Sequence, residues 1–236
     1  MKKQFTKYLI LIAAAAGVTG CGRANLSPSA EFLKQKGNIA LVWASKSETA
    51  TFTREGSQGL LDVVVNKMTE GSLTSKIVNT KLDPVVDSLY LKKYGPSFTK
   101  SGFQANLVQL PLDKKNLRDV PKKSEKEFWL DLKEFKQKYQ VDYVLFLDIQ
   151  EFGVKQNFFG FIATEAPKAR TQVDVYLVDT KDNGIVGEYH AIKELEAKGK
   201  WDNPPEYPEM MKAVYDSLQS SLEEAFFGFF NWEKTI

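Results

Sequence analysis

The apolar residues of this 236-residue chain occur in two patterns, short runs and longer segments with helical spacing. Short runs bounded by Gly, Pro or charged residues are typical of β-strands. The triplet Asp182-Asn183-Gly184 predicts a tight hairpin turn, because Asn-Gly supplies the positive φ that such turns need. The polar segment 45–56 is predicted to be a loop. Five runs predict strands, at residues 38–44, 103–110, 141–150, 171–179 and 185–192.

Helical spacing predicts two helices in the first half of the chain. One carries Leu60, Leu61, Val64 and Met68 on a single face, with Ser57 as its N-cap. The second begins at Asp83-Pro84, where Asp caps the helix and Pro occupies its first position.

Two further helices are predicted in the second half. Ser124 and Glu127 form a capping box at the start of one of them. The interleaved charges of segment 113–138 then form the solvent side of this helix, which argues against a nucleic-acid site. Its apolar face consists of Phe128, Leu132, Phe135 and Tyr139. The core-facing stripe of the last helix consists of Met211, Val214, Leu218, Leu222, Ala225 and Phe229.

These elements predict the order β-α-β-α-β-β-β-α, in which the first α stands for both helices of the first half. Early strands separated by helices indicate crossover connections, and the last three strands form an antiparallel meander. We therefore expect an α/β (α+β) fold, with a single mixed β-sheet of about five strands and helices packed on it. One domain over residues 37–236 accommodates all of these elements.

The amino-terminal segment has the pattern of a lipoprotein signal peptide. Three lysines precede an apolar stretch over residues 8–16, which is too short to cross a bilayer. The following tetrapeptide Val18-Thr19-Gly20-Cys21 resembles the lipobox of bacterial lipoproteins. The resemblance implies cleavage after residue 20, lipidation of Cys21 and attachment to a membrane through its acyl chains. Residues 21–36 are expected to form a lipidated tether. The alternative is an ordinary secretory signal in which Cys21 is incidental.

Composition narrows the possible chemistry. Without residues 1–20 the chain has 29 basic and 30 acidic residues, so its charge indicates neither a nucleic-acid partner nor an acidic disordered chain. The single cysteine excludes an internal disulfide, and the single histidine excludes a multi-histidine zinc site. No glycine-rich phosphate motif is present. We expect no metal and no cofactor.

Acidic residues near strand ends are the candidates for an enzyme. They are Asp142, Asp148, Asp174 and Asp179. A glycoside hydrolase needs two carboxylates across a cleft, and the spacing singles out no pair. Asp179 is explained as a turn residue, and His190 has no nucleophile in a GxSxG motif to activate. A peptidoglycan or glycan hydrolase is therefore the less favoured alternative, and no catalytic residue is assigned.

Two aromatic clusters are the candidate binding residues. Three phenylalanines in the hairpin 157–162 are too many to be buried within that hairpin, so they must dock on the domain, a partner or a membrane. The alternative is that the two clusters pack on each other and close the core. The predicted partner-binding residues are Phe158, Phe159 and Phe161 in this hairpin and Phe227, Phe230 and Trp232 at the carboxy end.

The segment from Tyr139 to Ala191 is similar to the α/β domain of the curli-secretion (CsgG-like) lipoproteins and their relatives, the LpoB-type activators and the amino-terminal domain of TolB. The similarity rests on Val141-Asp142-Tyr143-Val144 and on Val175-Tyr176-Leu177-Val178-Asp179 followed by Gly184-Ile185-Val186. The matching residues are framework residues, so the similarity implies the fold of this group and a location in the cell envelope. The segment 153–168 is too short and irregular for the strands of a secretion pore.

We therefore expect a non-enzymatic, lipid-anchored envelope protein that acts through protein–protein contacts or self-association. A subunit of an envelope secretion or transport assembly is the runner-up. In lipoproteins of Gram-negative bacteria, Asp after the lipidated cysteine is the usual signal for inner-membrane retention. Because Gly22 occupies this position, we expect an outer-membrane location with the domain facing the periplasm.

Overall fold

The computed structural model describes most of the chain after residue 24. The described residues are 25–29, 31–34, 37–57, 72–82, 86, 95–100, 102–111, 119, 124, 126–160 and 162–230. The signal peptide, Cys21, the predicted helix of Leu60 to Met68 and the helix start at Asp83-Pro84 lie outside them. None of the helices within these ranges has the length and apolar character needed to span a bilayer.

Within the described residues the strands form one mixed sheet of seven strands, which confirms the predicted α+β class. They are β1 (Asn38–Ser45), β2 (Thr51–Ser57), β3 (Gln104–Pro111), β4 (Tyr143–Phe159), β5 (Ile162–Ala163), β6 (Lys168–Asp179) and β7 (Gly184–Glu196). The helices are α1 (Ser72–Val78), α2 (Gly95–Lys100), α3 (Lys133–Tyr139) and α4 (Pro208–Phe230).

The long strand β4 is the centre of the sheet, whose order is β3-β1-β4-β6-β7. Strands β1 and β2 both run parallel to β4 and follow each other along the same side of it, β1 beside residues 143–149 and β2 beside residues 153–159. Strands β6 and β7 extend the sheet antiparallel on the other side. The loop predicted at 45–56 is therefore wrong from Thr51 onward, where β2 begins.

Apolar layers cover both faces of the sheet. On one face, Val214, Leu218 and Leu222 of α4 pack against β6 and β7, as the predicted stripe requires. On the other face, Phe128 and Phe135 pack on β1, β4 and β6. The folded chain also begins before residue 37, because Phe32 is buried against Phe103 and Tyr143.

The capping box at Ser124 and Glu127 does not start a helix, so this prediction is wrong. Helix α3 begins only at Lys133, and residues 126–128 are bonded to the β6–β7 turn. The reason is tertiary. The buried side chain of Asn183 donates to the carbonyl oxygens of Phe128 and Leu130 and accepts from the backbone N–H of Leu132. These bonds hold the segment in a non-helical conformation despite its helical spacing.

Candidate functional site

Strand β4 continues well past residue 150, where the sequence predicts its end. Residues 153–159 are paired with β2 on one side, and residues 158–159 with β5 on the other. A register shift between Ile149 and Glu151 separates this extension from the core part of the strand. Gly153 permits the close approach of β2, because a Cβ atom there would lie 2.0 Å from the carbonyl oxygen of Thr51.

The end of this extension exposes a pair of apolar side chains, which we call the tip. Phe159 of β4 is directly opposite Ile162 of β5, and the two side chains are 71% and 59% exposed. Opposed residues of an antiparallel pair project to the same face of the sheet. The tip is therefore a contiguous exposed apolar surface.

The structure separates the predicted binding residues. Phe159 is exposed at the end of the extension. Phe158 is half-buried, and the guanidinium of Arg54 lies 3.8 Å from the centroid of its ring. Phe158 therefore packs within the extension instead of contributing to the tip. Phe161, Trp232 and the side chains of Phe227 and Phe230 lie outside the described part of the chain.

The sequence analysis missed Ile162, although a signal for it exists. Ile162 follows Gly160-Phe161 directly and continues the aromatic run as an apolar residue. Its exposure depends on the two-residue strand β5, which places it across from Phe159. A pairing this short has no recognisable pattern in the sequence.

Hydrogen bonds hold the loop that carries the tip. The side-chain amide of Gln156 donates to the carbonyl oxygen of Glu165 at 3.1 Å, and Asn157 donates to the carboxylate of Glu165. Lys168 lies 3.1 Å from the same carboxylate. The hydrogen bond from Lys168 is the main cause that lowers the pKa of Glu165, with a smaller contribution from Asn157.

A network of ion pairs covers the sheet face beside the tip. Lys155 contacts Glu55 at 2.9 Å and Glu194 at 3.3 Å, while Arg170 contacts Glu151 at 2.7 Å and also binds Glu194. Burial raises the pKa of Glu194, but the hydrogen bonds from Arg170 and Lys155 outweigh it and lower the pKa. The hydrogen bond to Glu55 is the main cause that raises the pKa of Lys155. This face is accordingly polar, and each of its three carboxylates contacts a basic side chain.

Two of the four candidate acids meet in a row across three strands. Asp148 of β4 is opposite Asp174 of β6, which is opposite His190 of β7. The Nδ1 atom of His190 lies 2.7 Å from Asp174, and its Nε2 atom lies 3.0 Å from Glu188. Asp148 and Asp174 are only 1% and 7% exposed. A glycan cannot reach carboxylates at this depth in the described conformation.

The other two acids have local roles in the fold. Asp142 accepts a hydrogen bond from the backbone N–H of Asn38 at 3.1 Å. Asp179 accepts one from the backbone N–H of Lys181 at 2.8 Å, in agreement with its predicted turn role. Among the described residues, no group of three His, Cys, Asp or Glu side chains is placed to hold a metal ion.

The buried row lines neither of two surface clefts found among the described residues. One lies between β7 and the start of α4, with Glu209, Lys212 and Asp216 in its wall. The other lies at the β4 register shift, with Thr51, Thr53, Glu55, Glu151 and Gln172 in its wall. In the second cleft Glu151 and Glu55 are already engaged by Arg170 and Lys155.

Comparison with known proteins gives structural likeness alone. No protein-family model matches the chain, and no curated protein matches its sequence. The fold is similar to that of protein XCC0632 from Xanthomonas campestris, of family DUF330, with 10% identity over 86% of this chain and 90% of that one and a TM-score of 0.42. It is also similar to lipoprotein GNA1162 from Neisseria meningitidis, with 14% identity over 78% of this chain and 98% of that one and a TM-score of 0.26.

A third similar structure is a homologue of the neuraminyllactose-binding hemagglutinin from Helicobacter pylori, with 10% identity over 86% of this chain and 89% of that one and a TM-score of 0.34. One of the three is described as a lipoprotein. At these identities and TM-scores the similarity concerns the fold, and nothing about activity, partner or location is inferred from it. The resemblance to the curli-secretion group stays a prediction.

Proposed function

We propose that this protein is a lipid-anchored accessory protein of the cell envelope, held at the outer membrane by Cys21 and facing the periplasm. It acts without catalysis by binding another envelope protein through its tip. The tip is the observation that carries this proposal, because Phe159 and Ile162 form an exposed apolar pair at the end of a well-braced strand extension. Exposed apolar patches mark interaction sites, and aromatic residues are frequent hot spots there.

The anchor is supported by the sequence of residues 1–21. A basic start, a short apolar stretch and Gly20-Cys21 occur together in the order that lipidation requires. Multiple acyl chains bind a protein to a bilayer durably, since each buried CH₂ contributes about 0.8 kcal/mol. An accessory role follows because the domain then has two separate attachments, the anchor for the membrane and the tip for a partner.

Absence of catalysis is part of the proposal. The depth of Asp148 and Asp174 supports it, since the nearest grouping of carboxylates and histidine is closed to a polymer substrate. The row is instead suited to structure, because the carboxylate of Asp174 and the imidazole of His190 are hydrogen-bonded to each other across two strands of the sheet.

Crosslinked pulldown from membranes tests this function. We expect wild type to retain a defined set of crosslinked envelope proteins, and Phe159→Ser to lose at least one of them by tenfold or more. Phe159→Leu keeps an apolar side chain and should retain it. Tyr215→Ser, at an exposed aromatic residue on α4, is the matched control and should behave as wild type.

An unchanged partner set in Phe159→Ser contradicts the role of the tip. The anchor is tested separately by Cys21→Ser, which should release the protein from membrane fractions. Retention of Cys21→Ser in the membrane contradicts lipid anchoring.

A further inference from the structure

The chain just after Cys21 is bound to the edge of β7. Leu26 pairs antiparallel with Glu188, through a bond from its N–H to the Glu188 carbonyl oxygen and the reverse bond, each at 2.8 Å. The side-chain oxygen of Asn25 accepts from the backbone N–H of His190 at 2.9 Å. These three hydrogen bonds attach residues 25 and 26 to the folded domain, inside the segment predicted to be a tether.

This attachment shortens the free chain between Cys21 and the folded domain. An extended chain spans at most about 3.6 Å per residue. From Asn25 back to Cys21 this allows about 14 Å, whereas a free tether from Cys21 to residue 37 allows roughly 58 Å. The edge of β7 must therefore lie close to whatever surface holds Cys21.

The direction of the segment places two exposed apolar side chains beside this short link. Because the pairing with β7 is antiparallel, the chain before Asn25 arrives from the Ile192 end of the strand. Ile192 lies four positions after Glu188, about 13 Å along β7. Leu26 and Ile192 are 43% and 52% exposed and project to the same sheet face.

Charged residues along this edge are paired with opposite charges at two positions. Glu194 is paired with Arg170 and Lys155, and Lys193 is paired with Glu224 of α4. Close approach to lipid headgroups therefore brings no large unpaired negative charge to the bilayer. The contact should depend little on anionic lipid and on salt, since neither sign of charge dominates it.

We propose that the β7 edge, defined by Asn25, Leu26 and Ile192, rests on the lipid bilayer. The inference rests on the proposed lipidation of Cys21. The three hydrogen bonds to β7 act as a clamp that keeps the anchor link short and gives the domain one orientation, with β7 at the membrane. The opposite edge of the sheet then faces away from the bilayer; it is formed by β3 and, along the β4 extension, by β2 with α1 beside it.

Fluorescence quenching by spin-labelled lipid headgroups tests this orientation. An acylated Cys21 leaves an introduced cysteine as the only free thiol of the chain, so a fluorophore can be placed at one position. Lipidated Ile192→Cys is compared with lipidated Val78→Cys in phosphatidylethanolamine–phosphatidylglycerol vesicles. Val78 is also exposed, at the end of α1, and α1 contacts β2, which pairs with β4 on the side away from β7. We expect at least threefold stronger quenching at position 192 than at position 78.

Breaking the clamp supplies the second measurement. Leu26→Pro removes the N–H that bonds to Glu188, and combined with Asn25→Ala it removes two of the three bonds. Quenching at position 192 should then fall toward the value at position 78. Equal quenching at positions 192 and 78 in the chain with an intact clamp overturns the proposal, as does strong quenching at 192 that survives both substitutions unchanged.

Thiol labelling of the parent protein, which has no added cysteine, distinguishes failure of the proposed lipid anchor from failure of this inference. If the parent protein takes up the fluorophore, Cys21 is not acylated and the lipid anchor fails. The β7 contact is then tested with a His-tag placed at position 21 and nickel-chelating lipids, which restores the same short link. Stronger quenching at 192 than at 78 in that arrangement supports the orientation, and equal quenching overturns it.

Discussion

The side-chain amide of Asn183, in the turn between β6 and β7, donates to the carbonyl oxygen of Leu130 at 2.9 Å. The same amide group donates to the carbonyl oxygen of Phe128, and its oxygen accepts from the N–H of Leu132. One buried residue thereby satisfies three backbone groups of a segment about fifty residues earlier. Asn183 also has a φ of 66°, the positive value predicted for the hairpin turn.

Replacing Asn183 should therefore destabilise the domain strongly. Asn183→Ala leaves three buried backbone groups without partners and places Ala at a positive φ, so we expect a loss of about 3 kcal/mol or more in the free energy of unfolding. Asn183→Gly avoids the strain at the positive φ but does not restore the three hydrogen bonds. Its free energy of unfolding should therefore remain well below that of wild type. Urea unfolding measures both.

Asp182→Ala is the matched control for this turn, because Asp182 is exposed and, among the described residues, accepts a hydrogen bond from the N–H of Gly184 alone. Its loss should be below about 1 kcal/mol, as is usual for exposed hydrogen bonds. Similar values for Asn183→Ala and Asp182→Ala would show that the buried bonds contribute little.

Gly153 should be required for the strand extension that carries the tip. Its φ of 151° and the 2.0 Å approach of a Cβ to the Thr51 carbonyl oxygen mean that Gly153→Ala forces β2 away from β4. We expect a loss of about 2 kcal/mol and at least tenfold faster amide exchange across residues 51–57. Gly95→Ala has no atom within 4 Å of its new Cβ and should leave exchange in that strand unchanged. Unchanged exchange in Gly153→Ala would contradict this account of the extension.

The ion pairs beside the tip predict a loss of stability in acid. The folded-state pKa of Glu194 is lowered from its ordinary value of 4.5, so the unfolded chain binds more protons at this site. Its stabilising contribution is complete above about pH 4.5 and disappears as the pH falls through the lower folded-state pKa. Because the side chain is partly exposed, solvent limits this contribution to less than about 1 kcal/mol.

Glu194→Gln should therefore lower stability at pH 7 and have less effect at pH 3. Urea unfolding of wild type and variant across this range measures the difference. A constant gap between the two curves at all pH values would show that Glu194 does not stabilise the fold through its charge.

Periodic apolar patterns account for the elements that the sequence predicted well. The core-facing stripe of α4 is buried from Met211 to Ala225, and β6 and β7 meet at the predicted turn. In each case the local pattern and the tertiary environment favour the same structure. The apolar run that predicts β4 is equally clear at the start of the strand, where both faces of the sheet are covered by other side chains.

The missed features depend on distant partners. Strand β2, with the sequence Thr-Phe-Thr-Arg-Glu-Gly-Ser, has no apolar alternation and exists because β4 pairs with it. The first turns of the helix predicted from Ser124 are replaced by bonds to Asn183, and the helix begins only at Lys133. At the tip, the sequence identified Phe159 by its aromatic neighbours but not Ile162, whose role depends on a two-residue pairing. No local pattern contains these contacts.

Site-specific photocrosslinking in intact cells tests the central claim most directly. A photoreactive phenylalanine analogue is placed at position 159 or 162 of the full chain, with Val78 and Tyr215 as exposed control positions. The account predicts the same discrete crosslinked envelope protein from positions 159 and 162 and none from positions 78 and 215. No crosslinked protein from the tip, or the same products from all four positions, would contradict a binding role for Phe159 and Ile162.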